Sequence, residues 1–307
     1  MGSPVTIFSG TTGLNTVVDP VRLSFDTQTG VSELATAVNI TVDQTGRPGR
    51  RTGYSKKQDG IFHSLFCDGG DCFVVKDGAS DAALYQVGTD FSITGIRSGM
   101  TKAARIAFAQ VIDRTYYCNG YEKGFVEGGI SNPWVKTEYV GPETTRSFSE
   151  VPVGHHLTFA FGRIFVAQAK VVYWTEPFQY GLFDMARSYW RFKTNVRMIK
   201  PVASGLFISD EKDTWFYRGT NPFEAVPVKV ASYPAAEWSE AIEYVEGMEA
   251  GIQEPGLCAL WASREGACLG TASGSFINLN KDKIIYPDTV QQGAGLVRGY
   301  NFIHGVL

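Results

Sequence analysis

The sequence has no apolar stretch of membrane-spanning length and no excess of basic residues. Its strongly apolar runs, such as residues 258–261, are far shorter than the roughly 20 residues that a transmembrane helix needs. Lys and Arg number 28 against 31 Asp and Glu, a net charge of −3, so release of counterions from a nucleic acid would contribute little affinity. We expect no membrane segment, no signal peptide and no function based on tight nucleic-acid binding.

Cysteine is scarce, and its count of five is odd. Cys67 and Cys72 flank one turn and Cys258 and Cys268 flank another, so each pair could lie close across two strands. The odd count argues against a disulfide framework, and no CxxC or zinc-finger spacing is present. Because unpaired cysteine is among the most often buried residue types, we expect buried, reduced thiols in a protein assembled in a cytosol.

The motifs of common enzyme classes are missing. Residues 270–275 (GTASGS) lack the Gly-x-Ser-x-Gly spacing of a nucleophile elbow, and no phosphate-binding Gly-x-x-x-x-Gly-Lys string occurs. Residues 209–215 (SDEKDTW) only approach the Asp-box of sialidases. Acidic residues that could serve a glycosidase are expected simply to accept hydrogen bonds from turn amides; they are Glu176, Asp184, Asp210 and Asp213. We therefore expect no catalytic residue, no enzymatic activity and no cofactor.

Histidine offers little for a metal site. His155 and His156 are adjacent at the start of a predicted strand, where successive side chains point to opposite faces, so we expect them not to share an ion. His63 and His304 stand alone in apolar runs. The Glu-rich stretch 235–251 is expected to form a solvated surface. No metal site is predicted.

The sequence does contain a unit that returns five times. Each copy is a short apolar run, a turn centred on Gly or Asp, and a second run rich in Phe, Tyr, Val and Ile. The copies start near residues 61, 104, 156, 204 and 256, a spacing of 43 to 52 residues, which is typical of propellers and other repeat arrays. Since a lone hairpin cannot bury its apolar face, such units must pack against one another.

These repeats predict an all-β fold, a β-propeller with six blades or, as the alternative, five. Residues 58–307 would form the propeller. Residues 1–57 would form an extended N-terminal arm, with strands at 5–9 and 33–42, that completes the last blade or contacts neighbouring subunits. The C-terminal residues 294–307 are expected to form a last hairpin that pairs with N-terminal strand material to close the ring. The excursions 180–192 and 235–251 could each carry one short helix.

Two stretches carry a resemblance to a known family. GLNTVVDPVRL and ELATAVNITVDQTGRPGRRTGYSKK, followed by HSLFCDGGDCFVVKDG, resemble the opening of β-propeller virion proteins of tailed bacteriophages. GRIFVAQAKVVYWTEPFQYGLFD and VRMIKPVASGLFISDEKDTWFYRGTNPF are similar to central blades of phage tail nozzle and tail-hub proteins. The resemblance implies a homo-oligomeric ring, often hexameric, at the end of the head-to-tail connector.

This resemblance also implies partners and a location. The partners would be portal- or adaptor-type connector proteins and other tail proteins, with DNA passing through the lumen without specific binding. The protein would be made in the host cytoplasm and reside in the virion tail. A mildly acidic wall suits that function, because a wall that held DNA tightly would oppose ejection.

Candidate subunit contacts fall on the arm and on the excursions between blades. They are Arg47, Arg50, Arg51 and Tyr54 on the arm, and Tyr180, Trp190 and Trp238 on the excursions. Exposed aromatics often anchor interfaces, although these could equally cover the domain's own core. The alternative functions are a carbohydrate- or receptor-binding propeller, which would use aromatic platforms on one face, and a propeller hydrolase, which the missing acid motifs disfavour.

Overall fold

The computed structural model describes residues 9–43, 45–53, 55–68, 70–142, 146–245, 255–286, 289–298 and 301–306. The regular structure in these ranges is β-strand, apart from one 3-10 turn at Pro20–Arg22. No helix in the described ranges has the length and apolar character to cross a bilayer. The all-β fold class predicted from the sequence is confirmed.

The arm forms two small sheets of its own. Its strands are β1 (Gly10–Leu14), β2 (Phe25–Asp26), β3 (Val31–Leu34), β4 (Ile40–Val42) and β5 (Pro48–Arg50). They pair in the orders β1-β3-β2 and β4-β5. The predicted strand over residues 33–42 is therefore divided between β3 and β4, and the strand predicted at residues 5–9 lies almost wholly outside the described residues.

Five antiparallel sheets follow in chain order. Sheet 1 contains β6 (Ile61–Asp68), β7 (Asp71–Asp77), β8 (Ala82–Val87) and β9 (Ile93–Met100). Sheet 2 contains β10 (Ala107–Val111), β11 (Arg114–Cys118), β12 (Lys123–Glu127) and β13 (Ile130–Asn132). Sheet 3 contains β14 (His156–Ala160), β15 (Arg163–Gln168), β16 (Val171–Glu176), β17 (Gln179–Phe183) and β18 (Tyr189–Arg191).

The last two sheets have the same plan. Sheet 4 contains β19 (Val196–Val202), β20 (Gly205–Asp210), β21 (Thr214–Arg218) and β22 (Val226–Ala231). Sheet 5 contains β23 (Ala241–Val245), β24 (Gly256–Ser263), β25 (Gly266–Gly270) and β26 (Phe276–Asn278). A final hairpin consists of β27 (Gly293–Arg298) and β28 (Asn301–Val306).

The four larger apolar clusters each lie between consecutive sheets. Phe73 and Leu84 of sheet 1, for example, pack with Tyr117 and Val126 of sheet 2. Clusters of the same kind join sheets 2 and 3, sheets 3 and 4, and sheets 4 and 5. The first strands also follow one another, since β10 lies against β14 and β14 against β19. The chain is thus a β-propeller, in which each sheet buries its faces on its neighbours.

The C-terminal hairpin follows sheet 5 in the ring. The backbone N–H of Gly293 donates to the carbonyl of Glu237 over 2.8 Å, and an Arg105 Nη1 just before β10 donates to the carbonyl of Gly293, also over 2.8 Å. Among the described residues β27 and β28 pair with each other and the arm strands pair with each other, so the predicted composite sheet of both is not formed there.

Two local expectations are wrong. The stretches predicted to carry a short helix form β17, β18 and β23 where they are described, because neighbouring strands offer their backbone groups ladder partners. Cys67 and Cys72, expected to be buried thiols, face each other in register and form a disulfide at the rim of sheet 1. Cys118, Cys258 and Cys268 are buried free thiols, as predicted, and burial raises the pKa of each.

The contact between sheets 4 and 5 depends on a small residue at Gly270. A Cβ at that position would overlap Cε2 of Phe207, a side chain that is fully buried. We expect Gly270→Ala to lower the free energy of unfolding by about 1–3 kcal/mol, as overpacking does elsewhere. Gly53→Ala is the matched control, because no atom lies within 4 Å of its added Cβ. Equal urea midpoints for the two variants would contradict this packing.

Candidate functional site

A cavity of about 550 Å³ lies on the propeller axis. Six segments of the chain contribute to its wall, five from strands or turns of the sheets and one from the C-terminal hairpin. The lining residues are Ser64–Phe66, Arg105–Phe108, Leu157, Lys200, Trp238 and Glu240, and Ala294–Gly295. The strand β27 of the C-terminal hairpin therefore lines the cavity together with segments of the five sheets.

A cluster of titratable side chains lies at one end of this cavity. His156, only 2% exposed, has its Nε2 3.2 Å from Glu237 Oε1 and its Nδ1 3.6 Å from Glu240 Oε1. The indole of Trp238 packs at a tilt of 31° against the imidazole of His156, with ring centroids 4.2 Å apart. Lys200 Nζ lies 3.9 Å from Glu240 Oε1. We call His155, His156, Glu237 and Glu240 the axial cluster.

His155 joins this cluster from the bend before β14. Its Nε2 lies 2.7 Å from the carbonyl oxygen of Val196, and its ring centroid is 5.0 Å from that of His156. The expectation that these two histidines face opposite ways is wrong. The backbone N–H of His155 bonds to Ala167, which is also the register partner of His156, and two residues opposite one, as in a β-bulge, break the strict alternation of a strand.

The two glutamates reach the axis because the chain is kinked before β23. Trp238 has a φ of 70°, and the Ser239 hydroxyl donates to the carbonyl of Ala236 while accepting from the N–H of Ala262. These bonds fasten the segment to β24. The prediction of a solvated acidic surface is therefore wrong for Glu237 and Glu240, and residues 246–251 lie outside the described residues.

Burial and neighbouring charges shift the pKa values of two members of the axial cluster, His155 and Glu237. Burial lowers the pKa of His155, and the neighbouring His156 adds to that effect. For Glu237, burial opposes ionisation, but the hydrogen bond from His156 and the charges of His156, His155 and Arg197 outweigh it, so its pKa lies below the usual range. At neutral pH the cluster thus presents a neutral His155 beside an anionic Glu237, a combination able to bind a cation.

The acidic residues considered for glycosidase chemistry are engaged elsewhere. Arg146 forms ion pairs with both Glu176 and Asp184. Asp210 accepts hydrogen bonds from the backbone amides of Lys212 and Asp213 at a hairpin turn, as predicted for a turn aspartate. In this part of the chain the carboxylates serve the fold.

The predicted subunit-contact residues of the arm and those of the excursions lie in different surroundings. Arg47 and Arg50 are exposed at the β4-β5 hairpin and Arg51, half-buried, follows it; Tyr54 lies outside the described residues. Tyr180 packs edge-on against Phe159 and Tyr116.

Trp190 packs within its own chain. Its ring lies tilted against that of Tyr217, with centroids 4.3 Å apart, and its Nε1 donates to the carbonyl of Pro222. Tyr180, Trp190 and Trp238 thus each contact other parts of the propeller, and a contact with a second copy of the chain stays a prediction.

Comparison with known proteins finds similar chains only among solved structures. No family model matches the sequence, and no curated protein matches it. Among solved structures, the chain is similar to the Pan2 WD40 domain of Neurospora crassa (10% identity, 72% of this chain and 64% of that one, TM-score 0.41).

It is also similar to the WD40 β-propeller domain of Doa1 (10%, 78% and 73%, TM-score 0.43) and to a protein from Lactobacillus plantarum (12%, 83% and 80%, TM-score 0.45). The chain thus spans less than two thirds of the Pan2 domain. At these identities and scores no function is carried over.

Proposed function

We propose that this chain is a structural subunit of a tailed-bacteriophage virion. Several copies, six in our proposal, join into a ring at the end of the head-to-tail connector, bind portal- or adaptor-type proteins, and let DNA pass through the lumen without catalysing a reaction. The propeller fold is consistent with a binding or scaffold module, and the resemblance of the arm and central blades to phage tail proteins supports the finer assignment.

The observation that carries this proposal is the apolar surface of the arm. Val21 is 93% exposed and Val38 76%, and Ile40 and Val42 of β4 are also exposed. An isolated two-stranded sheet is marginally stable in water. Ile40 and Val42 are alternate residues of β4 and so lie on one face of this sheet, and exposed apolar patches generally mark a contact with another molecule. The β4-β5 hairpin is thus suited to lie against a neighbouring subunit.

The base of the arm is attached to its own propeller. Lys283 forms an ion pair with Glu33, and the Thr16 backbone N–H donates to the carbonyl of Lys283 over 2.8 Å. Ile285 and the Thr16 hydroxyl exchange two further hydrogen bonds. An arm fixed at its base, with exposed Val38, Ile40, Arg47 and Arg50 beyond it, favours a contact between subunits: apolar residues would provide the area, and the arginines would contact a net-acidic neighbour.

The test is the mass of the full chain in solution, measured by size-exclusion chromatography with light scattering. We expect a ring of about six copies, and we expect Val38→Glu to weaken it at least tenfold in dissociation constant, because a buried valine contributes about 1.5–3 kcal/mol and 1.4 kcal/mol is tenfold. Val140→Glu is the control, since Val140 is equally exposed at 78% but lies outside the arm.

Two outcomes would count against the proposal. A wild-type monomer that is retained on glycan columns would favour the carbohydrate-binding alternative. A ring that Val38→Glu leaves intact would mean that subunits meet through a surface other than the arm.

A further inference from the structure

Independently of any ring, the axial cluster has the donor set of a transition-metal site. His155, His156 and Glu237 each offer one ligand atom, and these three atoms lie within 4.8 Å of one another. The two histidines precede or begin sheet 3, while Glu237 lies 81 residues after His156, on the segment that leads into sheet 5. Three separate donors thus converge at the axis.

The hydrogen bond of the His155 ring to Val196 occupies one ring nitrogen, Nε2. A carbonyl oxygen can only accept, so the 2.7 Å contact with Val196 requires a proton on Nε2 of His155. In the neutral ring Nδ1 is then unprotonated and can bind a metal. Metal-binding histidines usually donate their second N–H to a carbonyl or carboxylate in this manner.

His156 has the same kind of arrangement, with Glu240 in the supporting position. Its Nε2 faces Glu237 and its Nδ1 faces Glu240, so a metal at Nε2 would leave the Nδ1 proton directed at a carboxylate. The Glu240 side chain is only 8% exposed, and its Oε2 is buried without a hydrogen-bond partner. A buried carboxylate oxygen without a hydrogen-bond partner costs free energy. That cost would be offset if Glu240 orients the His156 imidazole for binding a metal.

The spacing suits a small tetrahedral ion. Zinc binds nitrogen at about 2.0–2.1 Å and carboxylate oxygen at about 2.0–2.2 Å, which places neighbouring ligand atoms about 3.3 Å apart. His156 Nε2 and Glu237 Oε1 are already 3.2 Å apart, so the adjustment falls mainly on the His155 ring. Two nitrogens and one oxygen favour zinc over calcium or magnesium, which prefer oxygen donors.

An entry path to the site is present. His155 and Glu237 line an outer cavity of about 400 Å³ together with Asn195, Arg197 and Gln291. Water in that cavity could supply the fourth ligand. Arg197 is the one cationic residue in this lining, and its charge favours the ionised Glu237.

We propose that His155, His156 and Glu237 bind one Zn²⁺ per chain, with Glu240 and the carbonyl of Val196 orienting the two imidazoles. The ion would join the start of sheet 3 to the segment before sheet 5. Because Glu237 also holds Gln291 and Gly293 through backbone hydrogen bonds, the ion would fasten the C-terminal hairpin to the axis as well. The site has no part in the contact between subunits proposed above.

The experiment uses the full chain, stripped with a chelator and then titrated with ZnCl₂ against a chromophoric competitor. We expect one zinc per chain after desalting and a higher midpoint of thermal unfolding with zinc than without. Glu237→Gln and His155→Ala should each weaken binding at least 10- to 100-fold, as loss of even a supporting residue does. MgCl₂ should not compete.

Glu211→Gln is the matched control, because Glu211 lines the same outer cavity and is absent from the donor set; its zinc affinity should equal that of the wild type. Co²⁺ in place of zinc should give the strong visible absorption of a tetrahedral ion, and that signal should vanish in Glu237→Gln. Failure of the wild-type chain to retain stoichiometric zinc would overturn the proposal, and so would zinc binding that both ligand substitutions leave unchanged.

Discussion

Replacing His156 with leucine is expected to lower the free energy of unfolding by about 3 kcal/mol. The imidazole is buried between Glu237 and Glu240, and its removal takes a polar neighbour from two carboxylates. Loss of the partner of one buried polar group typically costs about 1–3 kcal/mol, and more when that group is charged. Lys200 near Glu240 and Arg197 near Glu237 offset part of the cost for the two carboxylates. Urea unfolding of the metal-free chain measures the effect.

A double-mutant cycle separates this electrostatic effect from lost packing. If the cost of His156→Leu comes from stranding Glu240, then adding Glu240→Leu should cost less than the two single changes summed, by about 0.5–3 kcal/mol. Strictly additive costs would show that His156 and Glu240 do not interact and that the loss comes from the bond to Glu237 and the contact with Trp238.

Trp261→Ala is expected to have an effect of similar size or larger. Trp261 is fully buried between sheets 4 and 5, with its ring centroid 5.5 Å from that of Phe207 and 5.8 Å from that of Phe276. Truncation of a buried tryptophan to alanine costs about 3–5 kcal/mol in lost transfer energy and cavity. Because sheets in a propeller support one another, the destabilised chain should still unfold in one cooperative transition.

Trp261→Phe is the companion variant. It keeps an aromatic ring between the sheets and also removes the indole Nε1, which is buried without a hydrogen-bond partner. The smaller cavity and the loss of an unsatisfied donor should bring the cost well below that of Trp261→Ala. Equal losses for the two variants, or separate transitions by fluorescence and circular dichroism, would contradict a core shared between sheets.

The repeats could be predicted from the sequence because alternating Phe, Tyr, Val and Ile runs with Gly or Asp turns are a local property. The position of each hairpin within its sheet could not be predicted. The first three recognised units are the first and second strands of their sheets, whereas the units starting near 204 and 256 are the second and third. Strand order depends on contacts between distant segments, which a single sequence does not display.

The axial cluster could not be predicted from the sequence for a similar reason. Residues 235–245 have the composition of an amphipathic helix. The bonds of Ser239 to Ala236 and Ala262, backbone bonds to distant residues and the pairing of β23 with β24 instead form a kinked segment that leads into a strand. Likewise, strand alternation predicts that His155 and His156 point to opposite faces. The pairing of both residues with Ala167 interrupts that alternation and brings their rings together. Local propensity was overruled by tertiary hydrogen bonds in both places.

The closeness of the two disulfide cysteines could be predicted from the sequence, but the bond itself could not. Cys67 and Cys72 flank a tight turn, and their closeness across two strands followed from that spacing. The register that places them directly opposite each other decides between a bond and two thiols, and it is set by how β6 and β7 pair along their whole length.

The central claim is that this propeller is a scaffold subunit that joins its own copies through the arm. Electron cryo-microscopy of the purified full chain tests it most directly. The account predicts a closed ring in which residues 38–50 of each subunit lie on the next, around propellers whose axial cavity is lined by six segments. Isolated propellers at all concentrations, or rings whose subunits meet without the arm, would contradict it.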